Sequence, residues 1–229
     1  MPTSNLGKFI RGFERFRQDY FRGNTDLYAK LRQGQNPDAL VISCCDSRVD
    51  PAIITNCAPG DLFVARDVAN LVPPYEPDGG HHGVSAAIEY AVLTLGVEHI
   101  VVLGHSQCGG IGALVDGGAH GAGGEFIGPW MSICQDEVRA VLEATEGESE
   151  EKRRRACEQA VILVSLRNLM SFPWVRERVE ACQLCLHGWY FDIRGGELLA
   201  YSPEALAFRP LVCCEESPCS ARRTAGARG

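Results

Sequence analysis

Residues 39–48 read ALVISCCDSR, a short apolar run followed at once by sulfur-bearing and charged side chains. A second stretch, residues 99–108, has the same form and reads HIVVLGHSQC. Short apolar runs are typical of buried strands, and in open α/β sheets ligand sites lie outside the carboxyl ends of the strands. We therefore expect the two polar clusters to meet at one edge of a parallel sheet.

The order of the remaining elements predicts the class of fold. A helical pattern over residues 85–95, ended by Gly96, comes directly before the second stretch, and helix followed by buried strand is typical of a parallel α/β sheet. Further elements are expected as a strand over 60–66, helices over 156–170 and 173–182, and strands over 183–193 and 198–201. Since no linker or internal repeat separates them, we predict one α/β domain over residues 1–229, with a mainly parallel central β-sheet flanked by helices and a C-terminal strand pair.

Three segments fall outside this pattern. Residues 6–34 should form an N-terminal helical arm, because aromatic side chains recur there at helical spacing and can cover the protein's own core or a partner subunit. Eight glycines between residues 109 and 124 predict a flexible or tightly turning segment. Residues 212–229 contain several cysteines and lack periodicity, so we expect a flexible tail.

The composition limits the compartment and the partners. The chain has 229 residues, of which 45% are hydrophobic and 22% charged, as in ordinary soluble globular proteins. Its net charge of -7 argues against nucleic acid, because phosphate binding needs a basic face, and nothing implies a membrane surface. No run approaches the roughly 20 apolar residues of a membrane helix. We expect a cytoplasmic protein in which most of the eleven cysteines are free thiols.

The two clusters contain the ligands that zinc prefers. Cys44, His105 and Cys108 make a Cys₂His set, and catalytic zinc sites have three protein ligands with the fourth position open to water. A structural site would need a fourth ligand, for which Cys45 is the best candidate. Because consecutive residues point in different directions as a strand ends, we expect Cys45 to be packed instead. Two thiolates give zinc more charge than imidazoles would, so we predict activity that rises toward alkaline pH.

Asp46 and Arg48 follow Cys44 closely, and their spacing allows two interpretations. In the first, Asp46 or Ser47 caps a helix and Arg48 forms a surface ion pair. In the second, Arg48 holds the Asp46 carboxylate beside the metal, where the carboxylate accepts a hydrogen bond from zinc-bound hydroxide and takes part in its proton transfer.

The paired motif Cys44-x-Asp46-Ser47-Arg48 and His105-x-x-Cys108 resembles the β-class carbonic anhydrases, over roughly residues 6–205. Residues 63–70, reading FVARDVAN, also fit and look most like the plant-type branch. The resemblance implies one Zn²⁺ per subunit on Cys44, His105 and Cys108, with Asp46 and Arg48 as the catalytic dyad. It also implies the reversible hydration of carbon dioxide to bicarbonate and a proton by zinc-bound hydroxide.

The same resemblance implies a substrate pocket and an oligomer. Residues that match the family's carbon dioxide pocket are Gln35, Phe63, Val68 and Tyr90, with Gly109 offering a backbone amide. Gln35 would reach the zinc of the adjacent subunit, so the resemblance implies a homodimer or a higher even oligomer. His82 is a candidate proton shuttle.

Position 41 bears on the state of the metal site. Another branch of the family has a Trp there, which forms an allosteric bicarbonate site, whereas this chain has Val41. We therefore expect the open form, in which Asp46 pairs with Arg48 and does not bind zinc.

Two alternatives remain open on the sequence. Related zinc proteins of the same fold hydrolyse carbonyl sulfide or carbon disulfide. A non-catalytic, zinc-stabilised binding protein is the other alternative, and it predicts four protein ligands and a dispensable Asp46 and Arg48.

Overall fold

The structure, a computed structural model of the chain, describes residues 6–23, 26–116 and 124–211. These residues form two compact units, which divide between Asn36 and Pro37. The expected flexible tail, residues 212–229, lies outside the described residues and stays a prediction.

The first unit contains the expected helical arm in segments. Helix α1 spans Gly7–Arg17 and continues as π-helix over Gln18–Gly23, and α2 spans Asp26–Leu31. Part of the aromatic stripe packs on itself, since the ring centroid of Phe16 lies 4.9 Å from that of Tyr20 and 5.6 Å from that of Tyr28. Farther toward the amino terminus, apolar side chains of α1 remain exposed, namely Phe9, Ile10 and Phe13.

The second unit is built on a six-stranded sheet with the order β2-β1-β3-β4-β5-β6. The strands are β1 Ala39–Cys44, β2 Leu62–Asp67, β3 His99–His105, β4 Cys185–Asp192, β5 Glu197–Ser202 and β6 Ala207–Pro210. The first four are parallel, and β5 and β6 add to them antiparallel. The predicted α/β class is confirmed, and β6 was not predicted.

Helices flank the sheet. They are α3 Pro51–Ile54, α4 Gly83–Glu89 with a π-helical continuation Tyr90–Leu95, α5 Gly109–Val115, α6 Ile127–Ala144, α7 Glu150–Leu169 and α8 Pro173–Glu180. Local sequence sets several of their ends. The Asp50 side chain accepts hydrogen bonds from two backbone N–H groups of the first turn of α3, and Gly96 ends the π-helical continuation with a left-handed φ of 69°. No helix in the described ranges is both long enough and apolar enough to cross a membrane.

The glycine-rich segment differs from its prediction. We expected residues 109–124 to be flexible or turning, but Gly109–Val115 is the helix α5. Apolar burial outweighs the low helix propensity of glycine here, because Ile111 is buried and Gly112 lets the Arg154 guanidinium come close to the helix. Residues 117–123 lie outside the described residues.

Buried apolar side chains cover both faces of the sheet at β1 and β3. Leu40, Ile42 and Ile100 pack into a cluster on one face, whereas Val41 and Val101 pack into another cluster on the opposite face. This alternation is the two-residue period of a strand. Apolar packing alone therefore fixes the positions of the carboxyl ends of β1 and β3, without a bound ligand.

Candidate metal centre

The carboxyl ends of β1 and β3 bring the three predicted ligands together. Cys44 is the last residue of β1, His105 is the last residue of β3, and Cys108 stands at the amino terminus of α5. All three are buried, with exposures of 4%, 1% and 3%. Their ligand atoms lie within 4.8 Å of one another, so the predicted meeting of the two clusters is confirmed.

The spacing of the sulfur atoms fits a tetrahedral cation. Sγ of Cys44 lies 4.0 Å from Sγ of Cys108. Two thiolates bound to zinc at about 2.3 Å, with a tetrahedral angle between them, are about 3.8 Å apart. Little movement is needed to place a zinc ion between them.

His105 has the ring orientation that a metal ligand needs. Its Nδ1 lies 2.8 Å from the carbonyl oxygen of Ser106, so Nδ1 carries the proton and donates it to that oxygen. Its Nε2 is buried and has no hydrogen-bond partner in the described part of the chain. A backbone carbonyl that fixes the tautomer in this way leaves Nε2 as the metal-binding atom.

The two cysteines can both be thiolates only when a cation lies between them. The hydrogen bond from the Cys108 thiol lowers the pKa of Cys44, and the same contact, together with burial, raises the pKa of Cys108. Two thiolates so close together in an apolar surrounding repel each other and are desolvated. A bound Zn²⁺ removes this conflict, so the donor set fits the metal that the sequence predicts.

Cys45 is not a fourth ligand, and it is not packed. The Cys₂His group contains three residues among those the structure describes, and Cys45 is exposed. The expectation of a packed Cys45 was wrong because its backbone is directed by another contact: its N–H donates to the Asp67 carbonyl at 2.7 Å, which continues the sheet and turns the side chain outward.

Asp46 forms a two-point ion pair with Arg48 beside these ligands. Arg48 Nε donates to Asp46 Oδ1 at 2.9 Å, and Nη2 donates to Oδ2 at 2.7 Å. The hydrogen bonds from Arg48 hold the pKa of the Asp46 carboxyl well below its usual range. Asp50, and neither Asp46 nor Ser47, caps α3, although Arg48 does form a partly exposed ion pair, as the first interpretation expects.

Gln107 supports this pair, although the sequence analysis did not include it. Its backbone carbonyl accepts a hydrogen bond from Arg48 Nη2 at 3.1 Å. Gln107 has a left-handed φ of 60°, which is uncommon for a residue with a side chain. The turn between His105 and Cys108 thus both spaces two ligands and orients Arg48.

Arg66 is a second residue that sequence reasoning missed. From β2 it donates to the carbonyl oxygens of Cys44 at 3.1 Å and Asp46 at 2.7 Å, and to the carboxylate of Asp50 at 3.1 Å. These bonds tie the backbone of the ligand-bearing loop to the neighbouring strand. No sequence pattern marks backbone carbonyls as the partners of an arginine.

Glu158 is the third residue that supports the site and was not predicted to do so. It is buried in α7, its Oε1 accepts the Cys108 N–H at 3.3 Å, and its Oε2 accepts the Tyr190 hydroxyl at 2.7 Å. Burial raises the pKa of the Glu158 carboxyl. Helical spacing from Val161 and Ile162 would have placed Glu158 on the buried face, so a signal for it was present in the sequence.

The residues that match the substrate pocket are only partly brought together. The rings of Phe63 and Tyr90 lie 5.8 Å apart. Val68 packs against Gly110, where an added Cβ would lie 2.9 Å from Val68 Cγ1, and Gly109 is the exposed first residue of α5. Gln35 belongs to the first unit, so its role stays a prediction.

His82 lies on the wall of a groove of about 1240 Å³ that Val68 and Asp67 also line. The ring is exposed, and its Nε2 lies 2.6 Å from the Asp78 carboxylate. The groove gives His82 access to solvent, but its role as a proton shuttle stays a prediction.

A buried three-ligand Cys₂His group at the ends of parallel strands, with a carboxylate beside it, is the arrangement of a catalytic zinc site. The chain belongs to the carbonic anhydrase family, whose sequence pattern matches residues 39–198, and specifically to the β class. It is a zinc-binding lyase that catalyses the hydration of carbon dioxide.

Individual relatives agree with this assignment. A carbonic anhydrase of Pseudomonas aeruginosa is 39% identical over 203 residues, which are 89% of this chain and 90% of the relative. Beta carbonic anhydrase 3 of Arabidopsis thaliana is 39% identical over 187 residues, covering 81% of this chain and 72% of the relative. The solved structure of the β-carbonic anhydrase CcaA superposes with a TM-score of 0.85 at 34% identity and covers 94% of both chains.

Proposed function

We propose that Asp46 and Arg48 are the catalytic dyad of carbon dioxide hydration and that each subunit holds one Zn²⁺ on Cys44, His105 and Cys108. The observation that carries this proposal is the two-point pairing of Asp46 with Arg48 beside the ligand group. When bound, zinc acts as a Lewis acid that makes water a nucleophile near neutral pH.

Asp46 orients the reacting water. Because its carboxylate is held on both oxygens by Arg48, it stays ionised and in one position, and a free lone pair accepts the hydrogen bond of the water. The lone pair of the water oxygen then faces carbon dioxide. Arg48 acts through Asp46 and is therefore a positioning residue. This pairing supports the open form, in which Asp46 stays off the metal.

The pocket beside the dyad is apolar, as its substrate is. Phe63, Val68 and Tyr90 would exclude water around carbon dioxide, and the Gly109 amide would donate to a substrate oxygen. The contact between the Phe63 and Tyr90 rings supports a shared wall. Gln35 would add a side-chain amide from the adjacent subunit.

A homodimer, or a higher even oligomer, would therefore be the functional unit. Two β-carbonic anhydrases of Sordaria macrospora are described as tetrameric, and one of their structures matches this chain with a TM-score of 0.72 at 28% identity over 92% of this chain and 98% of theirs. The exposed apolar side chains of α1 are suited to cover a partner subunit. We propose that the arm over residues 6–34 and the rest of the chain serve as one catalytic domain.

Two further roles complete the proposal. His82 would pass the product proton to buffer through the groove that it lines. The protein would work in the cytoplasm, a reducing compartment in which most cysteines are free thiols, as Cys57, Cys134 and Cys157 are, with Cys185 in a disulfide as an exception.

Stopped-flow hydration of carbon dioxide between pH 6 and 9, with zinc content measured on the same samples, tests the dyad. We expect rates that rise toward alkaline pH and a loss of roughly 100-fold or more in kcat for Asp46→Ala at unchanged zinc content. Asp136→Ala is the matched control, since Asp136 forms an exposed ion pair with Arg139.

Three results would count against the proposal. A zinc-loaded wild type with no turnover of carbon dioxide would remove it, and turnover of carbonyl sulfide alone would favour the hydrolase alternative. Full activity of Asp46→Ala would remove the dyad.

A further inference from the structure

A second group of metal-binding side chains lies at the opposite ends of the central strands. His99 is the first residue of β3, Cys185 is the first residue of β4, and the two are paired in register. His187 follows two residues later and so points to the same face as Cys185. The ligand atoms of all three lie within 4.8 Å of one another.

The spacing of this group fits a tetrahedral cation. Nδ1 of His99 lies 3.1 Å from Nε2 of His187. Two imidazole nitrogens bound to zinc at about 2.05 Å are about 3.3 Å apart, and a thiolate sulfur bound at about 2.3 Å lies about 3.6 Å from each of them. The two rings are therefore already near the separation that a shared metal requires.

Nδ1 of His99 and Nε2 of His187 share a hydrogen bond, so one of these two nitrogens carries no proton and has a free lone pair. Neutral imidazole nitrogens are the ligands of borderline cations such as Zn²⁺. A cation between the rings would replace the single hydrogen bond that they share.

Cys185 can act as a metal ligand only after reduction, because it is engaged in a disulfide bond. A disulfide sulfur carries no negative charge and is a poor ligand, whereas a thiolate is among the strongest for zinc. A dithiol reductant would transfer two electrons and two protons to the disulfide, forming two protein thiols and its own ring disulfide. The Cys185 proton would pass to buffer when the metal binds.

We propose that His99, Cys185 and His187 form a second site for a borderline transition metal such as Zn²⁺, which opens when the Cys185 disulfide is reduced. The site joins the first residues of β3 and β4, and its occupancy would follow the redox state of the protein.

This site is separate from the catalytic centre. His99 and His105 are six residues apart on β3, so they lie about 20 Å from each other along the strand. Two-metal catalytic sites need a separation of about 3.5–4 Å. The second site goes beyond the proposed function, and its test does not depend on turnover.

Cobalt binding to the full-length, zinc-loaded protein tests the proposal. One sample is treated with dithiothreitol and freed of it by gel filtration under argon, and the other stays oxidised. Both are then dialysed against Co²⁺, which ranks below Zn²⁺ in affinity and should leave the first site filled with zinc. Zinc and cobalt per subunit are measured together with the thiolate-to-cobalt charge-transfer absorption.

We expect the reduced wild type to bind one additional Co²⁺ per subunit with charge-transfer absorption, and at least about 10-fold more tightly than the oxidised protein. Cys185→Ser and His187→Gln should lose this binding while retaining zinc at the first site, which shows that they are folded. Cys57→Ser and His81→Gln are the matched controls, since both side chains lie outside the group, and they should bind cobalt as the wild type does.

Several outcomes would overturn the inference. No additional cobalt in the reduced wild type would exclude the site. Equal binding by oxidised and reduced protein would exclude the thiolate as a ligand, and loss of binding in Cys57→Ser would point to a site elsewhere.

Discussion

The guanidinium of Arg48 binds both carboxylate oxygens of Asp46, at 2.9 Å from Nε to Oδ1 and 2.7 Å from Nη2 to Oδ2. The same guanidinium reaches the carbonyl of Gln107, which lies in the turn between two metal ligands. One planar group thus fixes the carboxylate relative to both ligand-bearing segments. A lysine has a single donor centre and cannot reproduce this geometry.

We therefore predict that Arg48→Lys lowers kcat for carbon dioxide hydration by about 10-fold or more, although the positive charge remains. Zinc content should not change, because Arg48 contacts no ligand side chain. Stopped-flow assays with metal analysis measure both. Arg139→Lys, in an exposed pair with Asp136, should retain the wild-type rate. A wild-type rate for Arg48→Lys would show that charge alone is sufficient.

Arg66 should control how firmly the metal is held. It donates to the carbonyls of Cys44 and Asp46 and to the carboxylate of Asp50, so Arg66→Met removes three side-chain hydrogen bonds that tie the ligand-bearing loop to β2. We predict that zinc affinity falls about 10- to 100-fold, as for other residues that orient metal ligands. The measurement is the rate of zinc loss to a chelator, compared with Arg167→Met, which removes an exposed ion pair with Glu137. Equal rates for the two variants would contradict the prediction.

The sequence could predict the ligands because their signals are local. Cys44 and His105 each end an apolar run, and parallel strands bring such ends to one edge of the sheet. The predicted strands and the predicted meeting of Cys44, His105 and Cys108 therefore agree with the structure. Cys45 was misplaced because a backbone hydrogen bond to Asp67, on another strand, decides its direction.

The supporting residues could not be predicted in the same way. Arg66 and Gln107 act through backbone carbonyls, which carry no sequence signal. Helical spacing indicated that Glu158 is buried, but its partners, the Cys108 N–H and the Tyr190 hydroxyl, lie on other elements and could not be predicted. Helix α5 differs from its prediction because the burial of Ile111 outweighs the low helix propensity of its glycines. Each of these features depends on tertiary contacts.

Helix α7 packs so closely on β3 that no side chain fits at Gly104, one residue before His105. A Cβ at this position would lie 2.7 Å from both Cδ1 and Cγ1 of Ile162. We predict that Gly104→Ala lowers the free energy of unfolding by about 1–3 kcal/mol, because the contact is closer than van der Waals packing allows. Chemical denaturation measures this, and Gly83→Ala, which meets nothing within 4 Å, should change little.

A second variant separates this clash from other effects of the alanine. In an Ile162→Ala background the space is vacated, so Gly104→Ala should cost less there, with a coupling of about 0.5–3 kcal/mol between the two changes. Additive effects would show that the steric contact with Ile162 is not the cause.

His187 should make the stability of the oxidised protein depend on pH. Burial lowers its pKa from 6.5 to about 4 in the folded state, so between these values the proton binds the unfolded chain and not the folded one. The contribution of His187 to stability is therefore complete above pH 6.5 and is lost as pH falls toward 4. For a half-buried ring we expect a loss on the order of 2 kcal/mol across this interval.

The comparison that isolates this effect is wild type against His187→Gln, by chemical denaturation in non-reducing buffer at intervals from pH 7 to 4. The difference in unfolding free energy between the two proteins should shrink as pH falls, because only the wild type carries the imidazole. His81→Gln removes an exposed histidine and should run parallel to the wild type. A difference between wild type and His187→Gln that stays constant over the interval would mean that His187 titrates alike in the folded and unfolded states.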